Sequence, residues 1–179
     1  MSLYFKGEEQ TLDDILRARE IRVNNQHYLL DKYGSTVVSY KLNIPGPVKY
    51  NSLVKQIYDE GLLVFKQKIN EYPIHMLYEK EFIKNSGPEY LAVFDISAAL
   101  IKELTTSIEE NHPLGRLYDF DVLDAKGRQI SREDLGISPR KCLLCDNNAF
   151  ACGRSRAHGV NELIDKIESM AIDYFQLMR

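Results

Sequence analysis

The sequence predicts an α/β fold, with α+β as the alternative, in which a mixed sheet of about five strands carries flanking helices. Two observations support this prediction. Segments with apolar residues at helical spacing alternate with short β-branched segments, and clusters of Gly, Pro, Asn and Ser separate the two kinds. A chain of 179 residues is also long enough to bury about 70% of its unfolded surface. We therefore expect a single domain over residues 1–179.

A helix and a strand are expected first. Thr11 is a suitable N-cap and acidic residues follow it, so the pattern predicts a helix that runs to Lys32 and stops before a glycine. Residues 36–44 are rich in β-branched side chains and predict a strand. The Pro-Gly-Pro sequence at 45–47 cannot continue a ladder of hydrogen bonds and ends that strand.

The middle of the chain predicts two helices around a pair of strands. The predicted elements are a helix over 51–69, strands over 74–83 and 90–96, and a helix capped by Ser97 that runs to Glu110. A turn-forming Asn-Ser-Gly-Pro sequence at 85–88 joins the two strands. We expect these strands to be neighbours in the sheet.

The last third contains one more strand, a short return and a long helix. Residues 117–122 predict the strand, and a Lys-Gly turn leads into a hairpin partner at 128–130. The helix over 160–178 has the clearest apolar stripe in the chain. The stripe consists of Val160, Leu163, Ile164, Ile167, Ala171, Tyr174, Phe175 and Met178.

Two carboxylates on the strand at 117–122 are the strongest sign of chemistry. Successive side chains of a strand alternate in direction, so Asp119 and Asp121 project from the same side, roughly 7 Å apart. Such a pair repels itself and raises one pKa unless a cation lies between the two groups. Mg²⁺ is held in proteins by one or two carboxylates plus substrate phosphates, so the pair predicts metal-assisted phosphoryl or nucleotidyl transfer. The alternative is a charged edge strand that discourages aggregation.

The loop before this strand favours the catalytic interpretation. Gly115 has a backbone that can approach a phosphate closely, and Arg116 carries a planar fork that binds phosphate.

The segment over 140–158 holds the second concentration of reactive side chains. Cys142 and Cys145 have the spacing of a metal knuckle, and Cys152 with His158 would complete a Cys₃His tetrahedron for zinc. The alternative is that the cysteines are small buried apolar residues.

The same segment is rich in cations, namely Arg140, Lys141, Arg154, Arg156 and His158. If residues 147–157 are helical, Arg154 and His158 lie four apart on one face. A metal-bound polyphosphate needs positive charge opposite it, so we expect this cluster to bind anions rather than to be only a solvated surface.

Composition limits the partners and the compartment. The net charge of −3 gives no overall attraction to nucleic acid or to an anionic membrane. No apolar run approaches the roughly 20 residues that span a bilayer. Three cysteines, an odd number, do not form a disulfide framework, so the reducing cytoplasm is the expected location.

Three motifs together are similar to those of a known family. They are Asn-Ile-Pro-Gly-Pro-Val-Lys at 43–49, His-Pro-Leu-Gly-Arg-Leu-Tyr-Asp-Phe-Asp-Val at 112–122, and Arg-Lys-Cys-Leu-Leu-Cys at 140–145 followed by Cys-x-Arg-Ser-Arg-x-His at 152–158. The chain thereby resembles the citrate lyase holo-acyl-carrier-protein synthases, also called apo-citrate lyase phosphoribosyl-dephospho-CoA transferases. The likeness extends over nearly the whole chain.

The resemblance implies a nucleotidyltransferase-like fold and a role in prosthetic group biosynthesis. Such an enzyme takes 2′-(5″-triphosphoribosyl)-3′-dephospho-CoA, attaches it to a serine of the apo acyl-carrier (gamma) subunit of citrate lyase, and releases pyrophosphate. It implies Mg²⁺ on Asp119 and Asp121, which act in catalysis with Arg116, and no nucleic-acid or membrane partner. The substrate-binding residues it implies are Gly115, Lys49, Arg154, Arg156 and His158.

Some points stay open at the level of sequence. The partner could instead be the carrier protein of malonate decarboxylase, and the rival class is a non-catalytic, zinc-stabilised protein-binding module. A third carboxylate is not obvious, although Asp95 is a candidate. We expect the pair Asp119 and Asp121 to face a basic wall built from Arg154, Arg156 and His158.

Overall fold

A computed structural model describes residues 5–177 and contains, within them, five α-helices and a four-stranded sheet. The helices are α1 (Leu12–Tyr33), α2 (Ser52–Asn70), α3 (Ala98–Asn111), α4 (Ala149–Ser155) and α5 (Val160–Leu177). The strands are β1 (Thr36–Leu42), β2 (Met76–Phe82), β3 (Glu89–Phe94) and β4 (Tyr118–Leu123). The predicted class of helices packed on a sheet is confirmed. Met178, the last residue of the predicted apolar stripe, lies outside the described residues.

The sheet differs from the prediction in strand number and direction. Its order is β2-β3-β1-β4, and every neighbouring pair is antiparallel, whereas a mixed sheet of about five strands was expected. The missing strand is the return at 128–130. It makes a single bridge between Leu123 and Gln129, and Ile130 N–H donates to the Val122 carbonyl at 2.8 Å. A three-residue return is too short to extend the ladder.

The two faces of the sheet are covered by different helices. One face is aromatic and packs against α2 and α3, with Tyr40 stacked on Phe120 at a centroid distance of 4.4 Å and Phe65 of α2 at 5.1 Å from Phe120. The opposite face carries a smaller cluster in which Val37 and Leu91 pack against Leu29 of α1. Because side chains alternate along a strand, the residues between the buried aromatics must point toward α1.

The α1 face is apolar at one end and charged at the other. Strand register places Lys41 of β1 opposite Glu89 of β3 and also opposite Asp119 of β4. Ser39 lies opposite Asp121. The apolar cluster therefore packs α1 on one half of this face, and the candidate site occupies the charged half, which α1 reaches through the contact of Arg22 with Glu89.

No helix within residues 5–177 is long and apolar enough to cross a membrane.

Candidate active site

The two aspartates lie on one side of β4, as the alternation predicted. Tyr118, Phe120 and Val122 are buried on the opposite side. The side chains of Asp119 and Asp121 are 30% and 27% exposed, so both can be reached from solvent. The strand thus presents two accessible carboxylates on a backbone that the aromatic core holds rigid.

A cation from the protein lies between the two carboxylates. Lys41 pairs with Asp119 Oδ2, and its Nζ is 3.6 Å from Asp121 Oδ2. Gln129 Nε2 donates to Asp121 Oδ1 at 2.6 Å. Sequence reasoning missed Lys41 because the pairing of β1 with β4 cannot be deduced from either strand alone. The available signal was the alternation of β1, which puts Ser39 and Lys41 on one face.

The surroundings shift the pKa values of the two carboxyls in opposite directions. Burial tends to raise the pKa of Asp119, but Lys41 and then Arg140 outweigh it and hold that pKa below its usual range. For Asp121, burial and the neighbouring charge of Asp119 outweigh the attraction of Lys41, so its pKa is raised. Asp119 is therefore the more firmly ionised member of the pair.

A buried glutamate of α3 holds two arginines beside β4. Glu109 Oε2 accepts from Arg132 Nη2 at 2.6 Å and from Arg140 Nη2 at 2.8 Å, while Oε1 accepts from the Phe120 N–H at 3.0 Å. Arg140 Nη1 in turn lies 3.8 Å from Asp119 Oδ1. Glu109 thereby anchors Arg140 next to the carboxylate pair. Neither Glu109 nor Arg132 stands out in the sequence, because each looks like an ordinary surface charge.

The strand register places Glu89, and not Asp95, at the charged end of this face. Glu89 lies directly across from Lys41 in the sheet and is buried. Its Oε1 atom lies 2.5 Å from Nη1 of Arg22 in α1. Asp95 follows the last residue of β3, which pairs with Thr36 at the far end of β1. The placement of Asp95 at a distance from the pair removes it as a partner for Asp119 and Asp121.

A pocket of about 700 Å³ adjoins this charged face. Its cationic lining residues are Arg116, Arg140, Lys141 and Arg156, and His158 also lines it. Burial, followed by the like charges of Arg140 and Arg132, lowers the pKa of Arg116. Cations in such a group repel one another. Binding of an anion among them relieves this repulsion and is therefore favoured. Arg140 belongs both to the pocket and to the surroundings of Asp119, so it connects the two.

The structure gathers some of the predicted site residues and separates others. Arg116, Arg156 and His158 line the pocket. Arg154 is absent from the lining and lies over the ring of Phe150 at 5.5 Å. Lys49 donates to the Ile44 carbonyl, and burial lowers its pKa.

The helical alignment proposed for Arg154 and His158 is wrong. Helix α4 stops at Ser155, and Arg156 adopts a left-handed conformation with φ 50° and ψ 43°. The chain therefore turns away before His158, so a spacing of four residues no longer places the two side chains on one face. Arg140 takes the place beside Asp119 that was expected for Arg154.

Gly115 is required by packing at the end of α3. A Cβ at this position would lie 2.5 Å from the Glu109 carbonyl oxygen and 2.6 Å from that of Ile108. Gly115 is buried and begins a single 3-10 turn, Gly115–Leu117, that leads into β4. The close approach for which glycine is needed is thus to the backbone of α3.

The predicted cysteine cluster does come together. One ligand atom from each of Cys142, Cys145, Cys152 and His158 lies within 4.8 Å of the others. Local backbone pairing produces this arrangement: Cys142 N–H donates to the Asn147 carbonyl at 2.7 Å, which closes the turn that carries the first two cysteines. The Asn148 side chain accepts from the Phe150 and Ala151 N–H groups and begins α4, which carries Cys152.

The thiols in this cluster differ in acidity. Burial tends to raise the pKa of Cys142, but hydrogen bonds from the backbone N–H groups of Leu144 and Cys145, followed by the neighbouring thiols, lower it to about 7. Burial and the neighbouring thiols raise the pKa of Cys152 to about 11.

Comparison with known proteins identifies the family. The family model described as apo-citrate lyase phosphoribosyl-dephospho-CoA transferase matches residues 10–174. A Vibrio cholerae serotype O1 (strain M66-2) protein named probable apo-citrate lyase phosphoribosyl-dephospho-CoA transferase is 36% identical over 165 residues, which cover 92% of this chain and 93% of the relative. An Escherichia coli O7:K1 protein named apo-citrate lyase phosphoribosyl-dephospho-CoA transferase is 31% identical, with 91% of this chain and 89% of the relative covered.

A longer relative contains the same region. Protein CitXG of Haemophilus influenzae is 37% identical over 168 residues, which are 93% of this chain and 36% of that protein. With a family model that spans most of the chain and relatives above 30% identity, the chain belongs to the family of apo-citrate lyase phosphoribosyl-dephospho-CoA transferases.

Proposed function

We propose that this chain transfers the phosphoribosyl-dephospho-CoA group of 2′-(5″-triphosphoribosyl)-3′-dephospho-CoA to a serine of the apo acyl-carrier (gamma) subunit of citrate lyase. The observation that carries the proposal is the family match over residues 10–174. The accessible carboxylate pair beside a pocket lined with arginines supports it independently, because transfer from a triphosphate needs both groups.

The reaction is a displacement at phosphorus. The serine oxygen of the carrier forms a bond to the α-phosphorus, the bond between the α-phosphorus and the bridging oxygen to the β-phosphate breaks, and pyrophosphate leaves. The hydroxyl proton is released. Since the nucleophile belongs to the carrier, the work of this chain is to orient the triphosphate and to stabilise the charge that moves onto pyrophosphate.

The cations that line the pocket support binding of the polyphosphate there. Arg116, Arg140 and Arg156 offer planar guanidinium groups, which bind phosphate oxygens in pairs. Arg140 has a second role, because its contacts with Glu109 and Asp119 fix the pocket relative to β4. We assign these three arginines to pyrophosphate binding and leave Arg154 outside the site.

The carboxylate pair fits Mg²⁺ in ligand type and in access. Asp119 and Asp121 project from one side of β4, and both are partly exposed. When bound there, Mg²⁺ would neutralise phosphate oxygens of the triphosphate. Lys41 contacts the same carboxylates. It therefore either competes with Mg²⁺ for them or contacts the carboxylates and the triphosphate together.

The alternatives have less support. The matching family is described as a transferase for citrate lyase, which favours neither a purely binding module nor the malonate decarboxylase carrier. The three cysteines form no disulfide with one another, which supports activity in the reducing cytoplasm.

The test is incubation with the apo carrier and the triphosphate precursor, followed by intact mass measurement of the carrier. We expect the carrier mass to rise by that of the attached group and pyrophosphate to appear in equal amount. The same assay with the malonate decarboxylase carrier distinguishes the two partners. Labelling of that carrier alone would overturn the choice of citrate lyase, and labelling of neither would overturn the proposal.

A further inference from the structure

Four side chains in the segment 140–158 form a cluster that the transfer chemistry does not use. The Sγ atoms of Cys145 and Cys152 are 3.6 Å apart, and His158 Nε2 is 3.3 Å from Cys145 Sγ. A disulfide would bring the two sulfurs to about 2.05 Å, so they are not bonded. The thiol of Cys142 completes a group of four ligand atoms within 4.8 Å.

These distances match the edges of a zinc tetrahedron. Zinc binds sulfur at about 2.3 Å and imidazole nitrogen at about 2.0–2.1 Å, so tetrahedral angles give about 3.8 Å between two sulfurs and about 3.6 Å between sulfur and nitrogen. The observed 3.6 Å and 3.3 Å are each within a few tenths of an ångström of those values. Cys145 is thus at nearly tetrahedral spacing from two of the other ligands, and the remaining pairs of ligand atoms lie within 4.8 Å.

Cations line the same pocket as the cluster. Three thiolates and one zinc ion carry a net charge of −1. Arg140, Lys141 and Arg156 line the pocket to which Cys142, Cys152 and His158 also belong, so positive charge is present on that wall to balance it.

The segment has little apolar packing to hold it, since Leu143 is the one hydrophobic side chain of residues 140–158 that packs, partly buried, against the main core. Among residues 140–158, all of them within the described part of the chain, Cys152 is the one buried residue. Helix α4 has seven residues, fewer than a helix needs for stability in water, and its large apolar side chain, Phe150, is 71% exposed. A structural metal supplies folding free energy where a core is too small.

We propose that Cys142, Cys145, Cys152 and His158 bind one zinc ion, which fixes the wall of the pocket that carries Arg140 and Arg156. All four positions of the tetrahedron are filled by the protein, as in structural rather than catalytic zinc sites. His158 is then a metal ligand and is not free to act as a phosphate contact or proton shuttle. The proposal of a zinc site does not depend on the proposed transfer reaction. Only the role of zinc in shaping the substrate pocket rests on that proposed function.

The first experiment measures metal content by mass spectrometry of protein purified without added metal or chelator. We expect about one zinc per chain in the wild type and less than a tenth of that in Cys145→Ser. His27→Ala, which removes an exposed histidine of α1, is the matched control and keeps its zinc. Protein that contains no zinc, and that binds neither zinc nor cobalt(II) when either is added, would overturn the proposal.

A second set of measurements uses the wild-type protein, so it does not depend on the folding of any variant. In the wild type, the thiol-to-metal charge-transfer bands of bound cobalt(II) should appear, and the three thiols should react slowly with a thiol reagent until a chelator is added. Protease cleavage within 140–158 should increase after chelation. Thiols that react at once in the metal-loaded protein would contradict the site.

The role of His158 is tested by two variants. His158→Cys offers a fourth thiolate and should keep about one zinc, whereas His158→Ala should bind it more weakly. If His158→Cys keeps both zinc and transfer activity, His158 acts as a ligand alone. Loss of transfer with zinc retained would instead assign His158 to the reaction. Zinc content is read without any activity assay, so failure of the zinc site and failure of the transferase proposal are distinguishable.

Discussion

The carboxylate site on β4 and the cysteine cluster near α4 are held together by different means. Around Asp119 the aromatic core and the strand register set the positions, and Lys41 and Arg140 already balance the charge. Around Cys145 there is almost no core, and the four ligand atoms meet on a turn and a seven-residue helix. The first region can hold its geometry without an ion. We expect the second to depend on the proposed zinc ion, so loss of that ion should alter residues 140–158 and leave the sheet intact.

The largest effect should come from Glu109→Gln, because Glu109 is the counter-charge of two partly buried arginines. Its side chain is 1% exposed, and breaking a buried ion pair of this kind costs about 3 kcal/mol of unfolding free energy. Urea denaturation followed by circular dichroism measures the loss. Glu110→Gln is the matched control, since Glu110 also pairs with Arg132 but is 48% exposed, and it should change the stability little. Equal effects of the two variants would contradict the anchoring role of Glu109.

A pair of glycine variants compares the two regions directly. Gly115→Ala forces a Cβ against backbone oxygens at 2.5 and 2.6 Å and should cost about 2 kcal/mol of global stability. Gly153→Ala, in α4, meets no atom within 4 Å and should be neutral or stabilise that helix by up to about 1 kcal/mol. Thermal unfolding of the two variants measures both changes in stability. A large loss from Gly153→Ala would mean that α4 is packed as tightly as the sheet.

Lys41→Met tests whether the protein's own cation and Mg²⁺ compete for the same carboxylates. The pair is partly exposed, so its loss should cost about 1 kcal/mol. Because a competitor for Asp119 and Asp121 is removed, the Mg²⁺ concentration that gives half-maximal transfer should fall. Lys55→Met removes a surface pair with Asp59 and should leave that concentration unchanged. A higher requirement in Lys41→Met would show that Lys41 assists the ion.

The smallest effect is a pH dependence from His112, which contacts Tyr118, Tyr174 and Glu60 behind the sheet. Burial lowers the pKa of His112, and the attraction of Glu60 opposes this only in part. At acidic pH the folded chain therefore binds fewer protons at His112 than the unfolded chain does. The contribution of His112 to the free energy of unfolding decreases as the pH falls below about 6.5, the pKa of histidine in the unfolded chain.

Urea unfolding between pH 5 and pH 8 measures this dependence. The slope should be reduced in His112→Asn and unchanged in His27→Ala, whose side chain is exposed. A slope that His112→Asn leaves intact would assign the dependence to other groups.

The sequence predicted the parts of both regions that follow from local periodicity. The period of two put Asp119 and Asp121 on one side of β4, and the spacing of the cysteines identified the four residues that meet near α4. The helices could be assigned because their caps, such as Thr11 and Ser97, are local signals.

Contacts that depend on the pairing of distant segments were missed. Lys41, Glu109 and Arg132 reach the site only through the β1–β4 register and the packing of α3, neither of which a single strand or helix reveals. The position of Arg140 beside Asp119 was missed for the same reason. The alignment of Arg154 with His158 assumed a helix through residue 157, whereas the left-handed turn at Arg156 redirects the chain.

The central claim is that the carboxylate pair of β4 carries the transfer to the carrier. The most direct test is the intact mass of the apo carrier of citrate lyase after incubation with the triphosphate precursor and the Asp121→Asn protein. Asp13→Asn serves as the control, since Asp13 is an exposed residue of α1. We predict labelling by Asp13→Asn at the wild-type rate and a rate lowered about a hundred-fold or more by Asp121→Asn, with the circular dichroism spectrum unchanged. Near-normal labelling by folded Asp121→Asn protein would contradict the account.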